Sequence, residues 1–342
     1  MELARGIAAM LVVVFHANAS ADEFGGPHWA WLAIGEHGVD FFFVLSGFII
    51  AFAHRSDAGQ SQIARRYLLK RAIRLLPTLW IIVFGWAVFR ISMGIRVEPE
   101  MIARSMLLWP STKPTLPSVV WTLRHEALFY AVFVLILISR RVGTWAFALW
   151  ALAAASQLAL ATFGRAVEGL PAFFLSTFTL DFMLGMFVAR LHRVNAFPPS
   201  MIPLIASCCL LAGLLFVYNR LGFHRDGTAD YVSLAATWGT LLLGLAFAGI
   251  LHGLICIEKR VRVPEAGVFL GAASYALYLL HTIVNSFSQR VADHLSPTLK
   301  AFGLGHLLLI VAGTICSLFF YSLIERPITK ALRQRLLPAP PS

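Results

Sequence analysis

Apolar runs long enough to cross a bilayer, about 20 residues each, follow one another along almost the whole chain. They fall at 3–20, 37–53, 74–94, 119–138, 142–163, 170–189, 201–221, 229–256, 266–287 and 302–324. Ten such runs predict an all-α fold, a polytopic membrane helical bundle of about ten transmembrane helices. The 37–53 run is short, and the 229–256 run is long enough to tilt or break. The polar segments between runs are brief; the longest on its side is 95–118, stiffened by Pro110, Pro114 and Pro117. One transmembrane domain is expected over 1–330. A short tail follows over 331–342, ending in Leu-Pro-Ala-Pro-Pro-Ser, which is expected to be disordered.

Charge orients this bundle. With the N-terminus in the cytoplasm, eighteen of the 28 Lys and Arg residues fall on the cytoplasmic side. Nine fall on the other, and Arg124 lies inside a run. Basic residues concentrate in this way on the cytoplasmic side of membrane proteins, and a missed span would erase the bias. Both termini, and so the short tail, are therefore expected to be cytoplasmic. Composition agrees: 58% of residues are hydrophobic and 13% charged, about half the charge of a soluble domain. The net charge of +11 is spread in short clusters between apolar runs, which speaks against a nucleic-acid partner. Cys208, Cys209, Cys256 and Cys316 all lie in apolar runs, without metal-ligand spacing, and are expected to be buried small hydrophobes. Near the N-terminus, one Arg, a short apolar core and Ala17-Asn18-Ala19 resemble a signal peptide. Cleavage there would remove His16, so a retained span is expected.

The first run carries Arg5 at its start and His16 near its end. Eleven residues of helix put them roughly 16 Å apart on nearly one face. An ionisable residue inside a span is a functional candidate; the plain alternative is a neutral histidine packed against a neighbouring helix. Other ionisable groups fall at a similar depth towards the outer side: Asp40, the trio Arg124, His125 and Glu126, and His281. Together they predict a shared polar pocket. On the opposite side, Arg71 and Arg74 lie three residues apart at the expected start of a helix, close to Arg65, Arg66 and Lys70. Arginine forks bind phosphate in two-point fashion, and a helix N-terminus adds an anion preference. For Arg65 and Arg66 plain anchoring is expected; for Arg71 and Arg74, function.

These residues resemble the acyltransferase-3 family of integral-membrane acyltransferases, and especially its stand-alone exopolysaccharide and O-antigen O-acetyltransferases. The resemblance runs nearly end to end. It includes Arg5 and His16 eleven residues apart, Gly-Val-Asp-Phe-Phe-Phe-Val-Leu-Ser-Gly-Phe at 38–48, and Arg-x-x-Arg at 71 and 74. It continues in Trp-Thr-Leu through Glu126 to Phe-Tyr at 121–130, Ser-Tyr-Ala-Leu-Tyr-Leu-Leu-His at 274–281, and Glu-Arg-Pro at 325–327. The chain opens Met-Glu-Leu-Ala-Arg where the family has Leu-Asp-Gly-Leu-Arg. Arg124 and His125 replace small or neutral residues.

The resemblance implies a multi-pass protein of the bacterial inner membrane. It implies transfer of an acyl group, usually acetyl, from cytoplasmic acyl-CoA to a hydroxyl of an extracytoplasmic or lipid-linked polysaccharide. Acetyl-CoA is then a substrate, and no tightly bound cofactor is expected. His16 is expected to be the general base, with Glu126, or else Asp40, orienting its ring by triad logic. Ser274, Tyr275 or His281 are expected to stabilise the developing oxyanion. Arg5 partners the histidine motif, and Arg71 and Arg74 take the CoA phosphates. A route through acyl-His16 is open beside direct attack. The rival classes are a transporter or flippase using the same groups as a proton relay, and a non-catalytic partner in polysaccharide assembly.

Overall fold

The computed structural model describes residues 1–194, 201–221, 231–258 and 262–337, and among them the regular elements are helical. Arg225, Lys259 and Arg260 of the charge count, and 338–342 of the tail, lie outside the described residues. The helices named below are α1 (Glu2–Ala19), α2 (Gly38–Ala53), α3 (Ser61–Ser92) and α4 (Trp121–Ile138). They continue with α5 (Arg140–Thr162), α6 (Phe178–Arg193), α7 (Ile202–Leu221) and α8 (Thr240–Glu258). The last three are α9 (Ser274–Asp293), α10 (Leu304–Phe320) and α11 (Arg326–Leu336).

Each of the ten apolar runs carries a helix. Among the described residues nine helices are long and apolar enough to cross a membrane, and Glu265–Ala272 with α9, bent by 67° at their junction, makes ten if the pair counts as one span. The expected irregularity in the 229–256 run is a π turn at Ala235–Gly239 leading into α8. The sharp break comes one run later, and glycines explain its place. A Cβ on Gly271 would stand 2.0 Å from the Glu2 carbonyl oxygen, and one on Gly6 2.9 Å from Leu270 Cγ. The short helix 265–272 therefore lies backbone against backbone on the start of α1, and α9 turns from there to run beside α1.

Helix α1 joins the bundle's parts. It packs on α2, on α9 and α10, and on the 265–272 helix. Helices α2, α6, α7 and α8 form one group, α9 and α10 pair closely, and α3 and α4 complete the bundle with α5. Arg5 donates to Ser274 and His16 meets His281. These contacts run in the same chain order, so α1 and α9 are parallel, as the first and ninth of ten spans must be. Arg5, Arg71 and Arg74 mark one end of the bundle, the basic end. Large apolar side chains point outward: Phe84, Leu152, Phe216 and Leu323 are 61–71% exposed. Water would penalise that surface, and lipid does not.

Two expectations about helix ends change. Arg71 and Arg74 do not start a helix, because α3 begins at Ser61. The intervening Gln, Ala, Arg, Leu and Lys residues are good helix formers and carry the helix past the apolar run, so no N-terminal anion site exists at Arg71. At the other end of the chain, α10 passes through a π turn at Tyr321–Glu325 into α11, as one continuous helix Leu304–Leu336. Pro327, which has no N–H to give the preceding turn, sits in the first turn of α11. The 330/331 boundary falls inside this helix.

The tightest helix crossing is α2 on α6. A Cβ on Gly47 would meet the Phe182 carbonyl at 2.0 Å, and one on Gly185 the Val44 carbonyl at 1.9 Å. Small residues let helices approach this closely in membranes. Gly47→Ala and Gly185→Ala should each cost about 1–3 kcal/mol of overpacking and lower the melting temperature of the detergent-purified protein. Gly85→Ala, in α3 with open space around it, should leave it unchanged or higher. Equal melting temperatures for all three variants would refute the close crossing.

Candidate active site

A cavity of about 610 Å³ opens at the basic end. It is lined by α1, α2, α3, α4 and α9, with α2 contributing the largest share. Arg5, with only 11% of its side chain exposed, is held by Glu2 at 3.1 Å and donates from Nη2 to Ser274 Oγ at 3.1 Å. Arg71 lies over the rings of Tyr67 and Tyr130, with its Cζ at 5.5 and 5.3 Å. Tyr130 Oη donates to Glu126, and Ser46 Oγ donates to the same carboxylate at 3.2 Å. Arg74 also faces the cavity. Tyr275 lines it with its ring while its hydroxyl donates to the Leu75 carbonyl at 2.8 Å. Cation–π contacts and carboxylate bonds of this kind hold guanidinium groups in fixed places where water is scarce.

At its inner end the cavity stops at Phe42, Thr122 and Tyr278. Tyr278 is fastened there: its hydroxyl shares a 2.8 Å bond with Thr122 Oγ1, and both lie on the Val119 carbonyl. Behind Tyr278, at 6.2 Å between ring centroids, lies His281, and beyond it His16. Neither histidine lines the cavity. His281 Nε2 and His16 Nδ1 are 3.2 Å apart.

Elementary donor counting fixes the protons of this pair. His281 Nδ1 faces the Leu277 carbonyl at 2.8 Å, and His16 Nδ1 faces the Val12 carbonyl at 2.9 Å. A carbonyl only accepts, so in the neutral rings each Nδ1 carries the hydrogen. His281 Nε2 then accepts, and the Nδ1–H of His16 is shared between Val12 and His281. His16 Nε2 keeps a lone pair. Its ring is partly exposed, whereas His281 is fully buried.

The single polar pocket expected from depth along the helices is, in the structure, several separate clusters. Glu126 and Asp40 do not orient His16; the Val12 carbonyl and His281 take that place. Glu126 belongs to the basic-end cavity, and Asp40, fully buried, lies 3.5 Å from His37 Nδ1. Arg124 donates to the Ser111 and Lys113 carbonyls at 2.8 and 2.7 Å and so ties down the 95–118 segment. His125 stacks on Phe173 and bonds Tyr231. The structure brings His16 together with His281, and places Arg5, Arg71, Arg74 and Ser274 around one space, although Ser274 was expected beside the histidines. The oxyanion role expected of Ser274 or Tyr275 has no geometric support, since both hydroxyls are engaged at the basic end. His281 is near His16 but offers it an acceptor. Reading the sequence missed Ser46, which bonds Glu126, and the tail residues Arg333 and Leu337, which line the cavity. Ser46 lies inside the 38–48 motif, and the tail carries no signal beyond its charge.

The cysteines are not all buried: Cys208, Cys209 and Cys316 are exposed and Cys256 partly so. On the outward faces of membrane helices, exposure in the fold means contact with lipid, which suits a small apolar thiol. Among the described residues no group of three or more potential ligands could hold a metal ion.

Comparison with known proteins adds an independent line. The chain is 29% identical over 348 residues to the exopolysaccharide production protein ExoZ of Rhizobium meliloti (strain 1021), covering 96% of this chain and 98% of that protein. It is 27% identical over 320 residues to SACOL0978 of Staphylococcus aureus (strain COL), to which O-acetyltransferase activity is ascribed. The same identity relates it to SAS0844 of strain MSSA476. These matches cover 83% of this chain but only 50% of the staphylococcal proteins, so the chain spans half their length. No solved structure matches. The model of the acyltransferase domain family, Acyl_transf_3, matches residues 1–326, which takes in every span, the cavity floor and both histidines; the chain belongs to that family and is an acyltransferase.

Proposed function

We propose that this acyltransferase moves an acetyl or other short acyl group from acyl-CoA, bound at the basic end, to a hydroxyl of a polysaccharide or lipid-linked sugar on the opposite side of the bacterial inner membrane. The basic end is cytoplasmic and so are both termini. The relation to an exopolysaccharide production protein and to proteins with ascribed O-acetyltransferase activity supports the acceptor class. The observation that carries the mechanism is the lone pair left on His16 Nε2 by the His16–His281 bond, beyond the Tyr278 wall that ends a cavity lined by Arg5, Arg71 and Arg74.

The steps balance on that atom. His16 Nε2 takes the proton of the acceptor hydroxyl as its oxygen bonds to the thioester carbonyl carbon. The imidazolium so formed keeps its Nδ1–H between two acceptors, the Val12 carbonyl and His281 Nε2. The tetrahedral intermediate then expels the CoA thiolate, which takes the proton back from Nε2. His281 acts here by fixing the ring and stabilising its charge, the part that an acid plays in other triads. A proton relay across the membrane is less well supported, because the buried acids and histidines form separate clusters rather than one chain.

His16→Ala should lower acyl transfer by at least the roughly 10²–10⁴-fold that general base catalysis supplies, with the protein still inserted and of wild-type melting temperature. Acceptor acetylation at the wild-type rate would remove His16 from the chemistry. Glu126→Gln separates the two places proposed for that residue. A carboxylate in the donor cavity changes the KM for acyl-CoA and leaves the acidic limb of the pH–rate profile where it is. A displaced acidic limb would mean that Glu126 acts on His16 after all.

Arg74→Lys keeps the charge and loses the flat two-point fork. It should raise the KM for acyl-CoA about ten- to a hundredfold, the worth of a lost charge-assisted hydrogen bond, with little effect on the acceptor. Titration of donor and acceptor on the purified protein checks this. An unchanged donor KM would make Arg74 a membrane anchor.

A further inference from the structure

The cavity wall is completed by the end of the chain. Arg333, on α11, and Leu337 just beyond it line the opening together with Arg66 and Lys70 of α3. All three of these cations are exposed, and α11 packs on α3. Helical spacing explains the choice of residues. On α11, Arg326, Lys330 and Arg333 share one face, while Arg335 is turned about 200° from Arg333 and does not line the cavity. On α3, Arg66, Lys70 and Arg74 follow each other at four-residue steps, a basic stripe about 12 Å long leading from the opening inward.

The cations thus stand in two tiers. The inner tier is Arg5, Arg71 and Arg74; the outer tier is Arg66, Lys70 and Arg333. The acids lining the cavity are Glu2, paired with Arg5, and Glu126, bonded to Tyr130 and Ser46, so both belong to the deeper part. Among the lining residues six cations face two acids, an excess of positive charge that remains when the buried Glu325 near Arg74 and Arg5 is counted. A ligand with two separate phosphate groups, a diphosphate and a phosphomonoester, carries about four negative charges near neutral pH.

We propose that the outer tier is a phosphomonoester subsite, and that Arg333 of the C-terminal helix binds the 3′-phosphate of the donor nucleotide while the inner tier takes its diphosphate. This rests on acyl-CoA being the donor. It also gives α11 a function although the helix lies almost wholly beyond the family match, which ends at residue 326.

The test compares acetyl-CoA with acetyl-dephospho-CoA, which lacks only the 3′-phosphate, on the full-length protein in neutral detergent. Wild type should prefer acetyl-CoA by roughly tenfold or more in KM, one charge-assisted hydrogen bond's worth. Arg333→Ala should raise the KM for acetyl-CoA by about that factor, leave the KM for acetyl-dephospho-CoA unchanged, and keep kcat for both. Arg66→Ala, on a different helix, should do the same, so a folding defect in one variant does not decide the matter. Arg335→Ala should behave as wild type. Equal increases for both donors, or none, overturn the subsite and leave the donor assignment standing. A preference that survives in Arg333→Ala while its activity loses dependence on phosphatidylglycerol in vesicles would assign the tier to lipid headgroups instead and overturn the proposal. No turnover of either donor by wild type overturns the acyl-CoA reading itself, and the subsite with it.

Discussion

Two bonds between α1 and α9 set the geometry on which the rest of the site depends. Near one end Arg5 donates to Ser274, and near the other the two histidine rings meet. Along α1 these points are roughly 16 Å apart, and along α9 about 10 Å. The long arginine side chain takes up the difference, which a short polar residue at position 5 would not. The Gly6 and Gly271 contact supplies the rest of the fit, because it brings the start of α9 down beside Arg5. A polar group inside a bilayer is costly unless partnered. Each of these bonds therefore also holds its own residues in place.

The cavity follows from the same constraint applied to α3 and α4. Arg71 and Arg74 stand about 15–20 Å from the start of α3, at the basic end of the bundle but half-buried within the cavity. Cations there need aromatic faces or carboxylates: Tyr67 and Tyr130 lend their rings to Arg71, and Glu126, bonded to Tyr130 and Ser46, lines the same cavity. Glu126 is thereby committed to Tyr130 and Ser46 in the cavity, and the histidine pair is served by backbone carbonyls that every helix provides. A carbonyl orients an imidazole through the same Nδ1–H, by a weaker bond than a carboxylate would make. It adds no full charge, and so leaves the neutral ring free to act as a base.

Much of this was legible in the sequence for one reason: an ionisable residue inside an apolar run stands out. That contrast marked Arg5, His16, His281 and the Arg71–Arg74 pair, and the apolar runs themselves gave all nine candidate spans and the bent pair. What hydropathy does not carry is azimuth. Asp40, His125, Glu126 and His16 were grouped by depth, yet they face different neighbours, and only tertiary packing sorts them. Nor does hydropathy mark where a helix continues outside the bilayer. Ser61 to Lys70 and Arg326 to Leu336 are polar enough to read as loop and tail, but both are helical, and both bring cations to the cavity opening.

The wall between cavity and histidines is the last consequence of this layout. Tyr278 is anchored by Thr122 and the Val119 carbonyl, with Phe42 edge-on beside it. On the proposed function, the phosphates stay at the basic end, where six cations hold them, and only the uncharged arm of the donor reaches the wall. That division suits a membrane enzyme, since moving a phosphate through an apolar interior is prohibitive and moving a thioester is not. It also restricts water. An acyl thioester next to an activated base hydrolyses if water replaces the acceptor, and an aromatic wall with its one hydroxyl already bonded gives water no partner there. On the proposed function the acyl group must therefore pass Tyr278 to meet the base from the cavity side, while the acceptor hydroxyl comes from the other side.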